Sequence, residues 1–220
     1  MGERNLKKPV SSSGNISIGA ILAQIYKEYR AKILAGAFNK TIAKPWMKYR
    51  EIEIIEEILK NLQPQKVLEW GAGYSTLYFP KILTENAMWI SVEHDKEWAA
   101  KIKNANRNRR VEIFQVQPNH FPWTDEFGDG AYSDLTNYVE FPSKFGKFDF
   151  ILIDGRARKN CVVKAHELAK DEGVVVLHDA TREYYHEPFK LYKYQVLFAD
   201  YRQDGSGLWV GSKGINIRSF

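Results

Sequence analysis

At 220 residues, with 44% hydrophobic and 27% charged side chains, the chain has the length for one domain with a sizeable core and the ordinary composition of a soluble globular protein. A single cysteine, Cys161, excludes an intrachain disulfide and fits a reducing cytoplasm, and no apolar run approaches the roughly 20 residues of a membrane span. The net charge of +5 is uneven: residues 1–50 hold ten Lys and Arg against two Glu, or +8, which leaves −3 for the remainder.

Residues 1–15 are polar and end in Ser11-Ser12-Ser13-Gly14, the composition of a loose tail. From Ile16 to about Phe38, Ile18, Ile21, Leu22, Ile25, Tyr29 and Ile33 recur at three- and four-residue steps with basic residues between them, which predicts a basic amphipathic helix. Gln24, Lys27, Glu28 and Arg30 interrupt its apolar face too early for a signal peptide. Such a charge belongs to a solvated face, or to a surface for an anionic substrate, nucleic acid or an acidic membrane. The helix can pack on the domain, pair two copies as a homodimer, or cover a ligand. Lys44-Pro45 ends this unit, so residues 1–45 are read as an N-terminal extension and 46–220 as one α/β domain.

A second helix is predicted from about Trp46 to Leu62. Ile52, Ile55, Leu59 and Leu62 share a face, Glu51, Glu53, Glu56, Glu57 and Lys60 are read as solvent-facing, and Pro64 stops it. The run Val67-Leu68-Glu69-Trp70-Gly71-Ala72-Gly73-Tyr74-Ser75-Thr76 then reads as strand, glycine turn and helix start, with the helix carried to about residue 84. The glycines let a ligand approach the backbone, where the N–H groups of the helix start face it. Thr76 holds the place of the third glycine of a dinucleotide fingerprint, which argues against an NAD-dependent dehydrogenase. Glu69, beside the turn, would repel a pyrophosphate but suits a cationic amino group.

A second strand, Ala87 to Glu93, ends in a carboxylate twenty residues after Gly73, near the offset at which an acidic residue accepts hydrogen bonds from ribose hydroxyls. The plainer reading is that Glu93 caps the helix that runs to Ala105. Val111 to Gln115 makes a third strand. Pro118 to Lys147 is a long insertion rich in aromatics and acids, which either walls a ligand pocket or folds as a hairpin on itself. Phe148 to Ile153 is nearly all apolar, as a central parallel strand should be, and ends at Asp154-Gly155-Arg156-Ala157-Arg158. A helix to Lys170 follows, then a fifth strand, Val174 to Leu177, ending at His178-Asp179. Thr181 to about Tyr192 is predicted as a helix interrupted near Pro188, and Tyr194–Ala199 and Leu208–Gly211 as two last strands.

Glu69, Glu93, Asp154, His178 and Asp179 all fall at predicted strand ends, where ligands bind in open α/β sheets. The glycine turn, the Glu93 strand, F-D-F-I-L-I-D-G and G-V-V-V-L-H-D, spread from about Trp46 to Gly211, resemble the class I S-adenosylmethionine-dependent methyltransferases. The resemblance implies a Rossmann-like, seven-stranded, mostly parallel sheet of order 3-2-1-4-5-7-6 with helices on both faces. It implies S-adenosylmethionine as cofactor, with Gly71, Ala72, Gly73 and Ser75 along its methionine part. Glu69 would then lie near the amino group, Glu93 at the ribose, Gln115 near the adenine and Asp154 toward the methyl. Asp154, His178 and Asp179 are the candidate catalytic bases. Some relatives bind a divalent metal through two strand-end acids and an Asn; Ala180 stands in the Asn position, so no metal site is assigned. Arg156, Arg158 and Arg182 suit an anionic substrate, or else pair with nearby acids. The reading is a cytoplasmic methyltransferase acting on an oxygen of a small, anionic molecule, with nucleic acid admitted but not favoured. The alternatives are an aminopropyl transferase on the same scaffold, and a non-catalytic module that holds RNA or a protein partner through the basic N-terminal helix.

Overall fold

The computed structural model describes Tyr26, residues 44–199 and residues 206–217. Apart from Tyr26, the predicted N-terminal helix lies outside the described residues, and with it the homodimer, nucleic-acid and membrane surfaces attached to it. No helix among the described residues is long and apolar enough to cross a membrane.

The chain runs α1 (Tyr49–Leu62), β1 (Lys66–Trp70), α2 (Tyr74–Tyr78), β2 (Met88–Glu93), α3 (Lys96–Ala105), β3 (Val111–Gln115), α4 (Thr136–Glu140), β4 (Phe148–Ile153), α5 (Arg158–Leu168), β5 (Ala169–His178), β6 (Tyr194–Phe198) and β7 (Leu208–Ser212). The seven strands form one sheet of order β3-β2-β1-β4-β5-β7-β6. The first five pair with one another in parallel, and β7 runs antiparallel to both β5 and β6. This is the expected order.

Alternation along the strands builds two cores. Leu68, Trp70, Ile151, Ile153, Val175 and Leu177 face one side, where Cys161, Val162 and Ala165 of α5 and Tyr138 and Val139 of α4 cover them. Val67, Phe150, Leu152, Val174 and Val176 face the other, under Ile52, Ile55, Ile58 and Leu59 of α1 and Ile102 of α3. The strand order reverses between β1 and β4, and a crevice opens at the C-terminal ends of the strands there.

Proline shortens two expected helices, because it lacks an N–H and its ring clashes with the preceding turn. The helix expected to residue 84 ends at Tyr78 and continues as a 3₁₀ turn containing Pro80. The one expected over 181–192 is two 3₁₀ turns, Glu183–Tyr185 and Glu187–Leu191, with Pro188 opening the second. The insertion is no hairpin. Asp134 accepts hydrogen bonds from Thr124 N (2.8 Å) and Ala131 N (3.0 Å), Asp125 accepts from Gly130 N (2.6 Å), and Leu135, Tyr138 and Val139 are part of the main core.

Candidate active site

A cleft of about 410 Å³ lies over the ends of β1, β2 and β4. Of the residues singled out in the sequence, Gly71, Ala72, Gly73, Ser75, Glu93, Asp154, Arg156 and Arg158 line it. Glu69, Gln115, His178, Asp179 and Arg182 do not.

The two glycines of the turn do different work. Gly71 has φ +95°, and a Cβ there would sit 2.6 Å from the Asp154 carbonyl oxygen and from Gly155 Cα. Its freedom lets the turn after β1 press on the turn after β4, so the neighbour it admits is backbone rather than ligand. At Gly73 the nearest atom to a Cβ is Ser75 Oγ at 3.7 Å, so the protein itself leaves room. Gly73 is the position at which an occupant of the cleft can meet main chain.

Glu69 stands behind this turn, fully buried. Its carboxylate accepts hydrogen bonds from Ser75 Oγ (2.5 Å), Thr76 Oγ1 (2.6 Å), Trp89 Nε1 (2.8 Å) and Ser91 Oγ (2.8 Å). Thr76 Oγ1 in turn accepts from Gly73 N at 2.9 Å. The expectation that Glu69 faces a ligand's amino group is corrected: its oxygens are taken up in bracing α2 against β2. Burial pushes its carboxyl up to about 7, against the four hydrogen bonds, which pull it down.

At the end of β2, Glu93 Oε1 accepts from Asp95 N at 2.8 Å. Asp95 is the cap of α3, accepting from Trp98 N at 2.7 Å. Glu93 therefore steadies the helix entry through Oε1, which His94 Nδ1 also approaches at 2.8 Å, and the residue lines the cleft. Trp98 Nε1 donates to the Ala72 carbonyl at 2.6 Å, and the Trp98, Tyr74 and Trp46 rings group within 6.0 Å of one another as one wall. The His94 ring lies 5.7 Å from Trp123 and 5.9 Å from Tyr138, so aromatics of the insertion back the opposite wall. Gln115 donates to the His94 carbonyl at 3.2 Å and acts from behind that wall.

The ends of β4 and β5 carry a buried charge network. His178 Nδ1 lies 2.8 Å from Asp154 Oδ1 and Nε2 lies 3.3 Å from Glu51 Oε2. With a carboxylate on each nitrogen, both nitrogens hold protons and the ring is an imidazolium. Burial alone would pull its pKa down; Asp154, Glu51 and Asp179 raise it to about 10. Burial would raise Asp154, but the His178 cation, then Arg158 and Arg182, hold it below the usual carboxylate range. Arg158 donates to Asp179 (2.8 Å), Asp154 (3.3 Å) and the Gly155 carbonyl (3.0 Å), and Arg182 reaches Asp179 at 3.1 Å.

These contacts go against one expectation and, for two of the arginines, favour the second of two open readings. His178 is no general base, since it has no lone pair to offer. Arg158 and Arg182 are committed to internal acids. Arg156 is the exposed one, with a single long contact to the Gly128 carbonyl at 3.4 Å. Glu51, read as solvent-facing, is buried and accepts from Lys48 N (2.7 Å) and Gly207 N (2.9 Å) besides meeting His178. Its position next to Ile52 gave no sign of this; its partners are distant in the chain. Ala157 (φ 49°) and Asp179 (φ 56°), left-handed without being glycine, sit just past β4 and β5, where strain is often held for function.

A seven-stranded sheet of this order, with a glycine turn after β1 and an acid after β2, defines a class I S-adenosylmethionine-dependent methyltransferase. The cleft fits that cofactor: no side chain stands over the turn at Gly73, and a strand-end carboxylate, Glu93, lines the wall. Residues 20–132 match the family model of the protein-L-isoaspartate(D-aspartate) O-methyltransferases, and the chain belongs to that family. S-adenosylmethionine is accordingly its cofactor. No curated protein matches it by sequence. Among solved structures, it is similar to a putative O-methyltransferase from Klebsiella pneumoniae (13% identity, 88% of this chain and 100% of that one, TM-score 0.57). The O-methyltransferase from Bacillus cereus, solved in complex with SAH, is 16% identical over 84% and 90% of the two chains, with TM-score 0.56. TomG from Streptomyces achromogenes, an O-methyltransferase of tomaymycin synthesis solved with SAM, is 13% identical over 88% and 96%, with TM-score 0.55. Likeness at this identity speaks for the fold alone.

Proposed function

We propose that the protein transfers the methyl group of S-adenosylmethionine to an oxygen of a small anionic molecule, and that this oxygen belongs to a carboxylate. Bound cofactor supplies an electrophilic methyl carbon on a cationic sulfur. What remains is to hold a nucleophile in line with it. An alcohol would need a base to take its proton. Among the described residues at the mouth, His178 is doubly hydrogen-bonded as a cation, and Asp154 and Asp179 are held by arginines. A carboxylate is already ionised at neutral pH and needs no such base. Arg156, exposed on the cleft's rim, is placed to pair with it bidentately. The family's description, an O-methyltransferase of isoaspartate, a residue with a free carboxylate, agrees with this chemistry.

The observation that carries the reading is His178 between two carboxylates, because it leaves that ring no lone pair with which to take a proton. Its test is the product. A carboxyl methyl ester loses methanol in mild alkali, whereas an aryl or alkyl ether does not. Label transferred from S-adenosylmethionine should be released as volatile methanol; an alkali-stable product would refute the carboxylate. Arg156→Ala should raise KM for the acceptor about tenfold with little change in kcat, the mark of a lost binding contact.

The Glu93 carboxylate is assigned to the ribose hydroxyls. Losing hydrogen bonds to a charged acceptor costs about 2–3 kcal/mol, so Glu93→Ala should weaken S-adenosylhomocysteine binding roughly 30- to 150-fold. Calorimetric titration reads this directly, and unchanged affinity would remove the assignment.

A further inference from the structure

A second cavity, of about 770 Å³, lies on the far side of the aromatic wall. Trp46 and Tyr74 line both it and the cofactor cleft. Its remaining lining includes Lys44, Lys81, Arg107 and Arg109 and, among the described residues, no carboxylate. Four cations around one hollow, with no acid among its described lining, contrast with the network at the ends of β4 and β5, where acids neutralise Arg158 and Arg182.

The cations are not spent on structure to the same degree. Lys81 and Arg109 are exposed and make no hydrogen bond or ion pair with a described residue. Arg107 donates to the carbonyls of Asn104 (2.7 Å) and Asn106 (3.1 Å), covering the partial negative charge of the α3 C-terminus. Lys44 lies over the Tyr49 ring. Trp46 packs on Tyr74 and Trp98 yet is 76% exposed, so much of its ring is open to a ligand. A positive hollow beside an open indole is the pairing that takes phosphate and a base together: the cations meet the phosphate and the ring stacks on the base. In the sequence, Lys44 directly follows a segment with an excess of Lys and Arg.

We propose that this basin binds a phosphorylated nucleoside, free or within a single strand, with its phosphate on Lys81, Arg107 and Arg109 and its base against Trp46. The site is separate from the cofactor cleft and does not rest on the methyl-transfer reading. Through the shared wall of Trp46 and Tyr74, an occupied basin bears on the cleft.

The test uses the full chain saturated with S-adenosylhomocysteine, so that nucleobases cannot enter the cofactor cleft. Uridine 5′-monophosphate and a short oligouridylate are titrated into wild type and K81E/R109E. Both substitutions are on exposed side chains outside the cofactor cleft, and S-adenosylhomocysteine affinity reports whether the variant is folded. The expected result is binding to wild type that weakens with salt and falls about tenfold or more in the variant, with cofactor affinity unchanged. Comparable affinity per nucleotide for the monophosphate identifies a free nucleotide as the ligand; binding of the oligomer alone identifies a strand. No binding of either to wild type overturns the proposal. So does oligomer binding that the double variant retains, which would belong to the N-terminal segment.

Discussion

Glu69→Ala should destabilise the protein by about 3–5 kcal/mol, a large share of the roughly 5–15 kcal/mol that holds a domain folded. The substitution removes one acceptor group from four donors at once. Ser91 Oγ can turn toward Thr76 Oγ1, already 3.4 Å away, but Trp89 is fully buried and its Nε1–H has no second acceptor among the described residues. An orphaned buried donor costs about 1–3 kcal/mol, and the cavity left in the core adds to it. The loss should also reach the cleft. Thr76 Oγ1 links Glu69 to the Gly73 N–H, so cofactor affinity should fall along with stability. Glu69→Gln keeps the volume and two acceptor lone pairs, and should cost less. Because the folded-state pKa lies near 7, above the ordinary 4.5, the native protein holds this proton more tightly than the unfolded chain. The contribution of Glu69 to stability is therefore greatest below 4.5 and is lost as pH rises through 7; Glu69→Gln should remove that slope. Urea unfolding across this range checks both points. A Glu69→Ala variant within about 1 kcal/mol of wild type would mean that the four contacts are not the brace they are taken for.

The parts of this molecule that could be read from the sequence are those in which neighbours in the chain are neighbours in space. The run into Gly71 showed a strand and its turn, and the apolar run 148–153 showed a central strand, because burial on both faces leaves no polar position to alternate. The strand-end acids were visible for the same reason: in parallel strands joined by helices, each C-terminal end opens on one crevice. The order of the strands did not follow from periodicity and came with the family resemblance. What stayed hidden depends on distant partners. Glu51 sits beside the apolar stripe of α1, and nothing local tells that Gly207, 156 residues on, and His178, 127 residues on, reach it. The same holds for the wall that Trp46, Tyr74 and Trp98 make, whereas the pairing of Arg158 with strand-end acids is one of the two readings the sequence left open. Glu69 was located but misassigned: a strand-end carboxylate looks the same in sequence whether it meets a ligand or four donors of its own fold.

His178→Gln should cost about 3–5 kcal/mol, because it strips the shared cation from two buried carboxylates. Asp154 keeps Arg158 at 3.3 Å, while Glu51 keeps only the Lys48 and Gly207 backbone N–H groups and a neutral amide. The pH dependence separates this electrostatic loss from a packing defect. The folded-state pKa of His178 is near 10 and the ordinary value 6.5, so the native protein binds this proton more tightly than the unfolded chain does. The stabilisation is complete below 6.5 and disappears as pH rises through 10. Wild type should thus become steadily easier to unfold by urea over that interval, and the His178→Gln curve should lie below it at pH 6.5 and converge on it toward pH 10. A packing defect alone would leave the two curves parallel. There is a consequence for the chemistry as well. Without the imidazolium, Asp154 loses the strongest influence holding its pKa down, and it becomes the better proton acceptor. If the acceptor oxygen is a carboxylate, that gain brings no rate, and kcat for His178→Gln should follow only the loss of order at the mouth. If kcat instead rises as Asp154 is released, the reaction needs a base after all, and the acceptor is a hydroxyl.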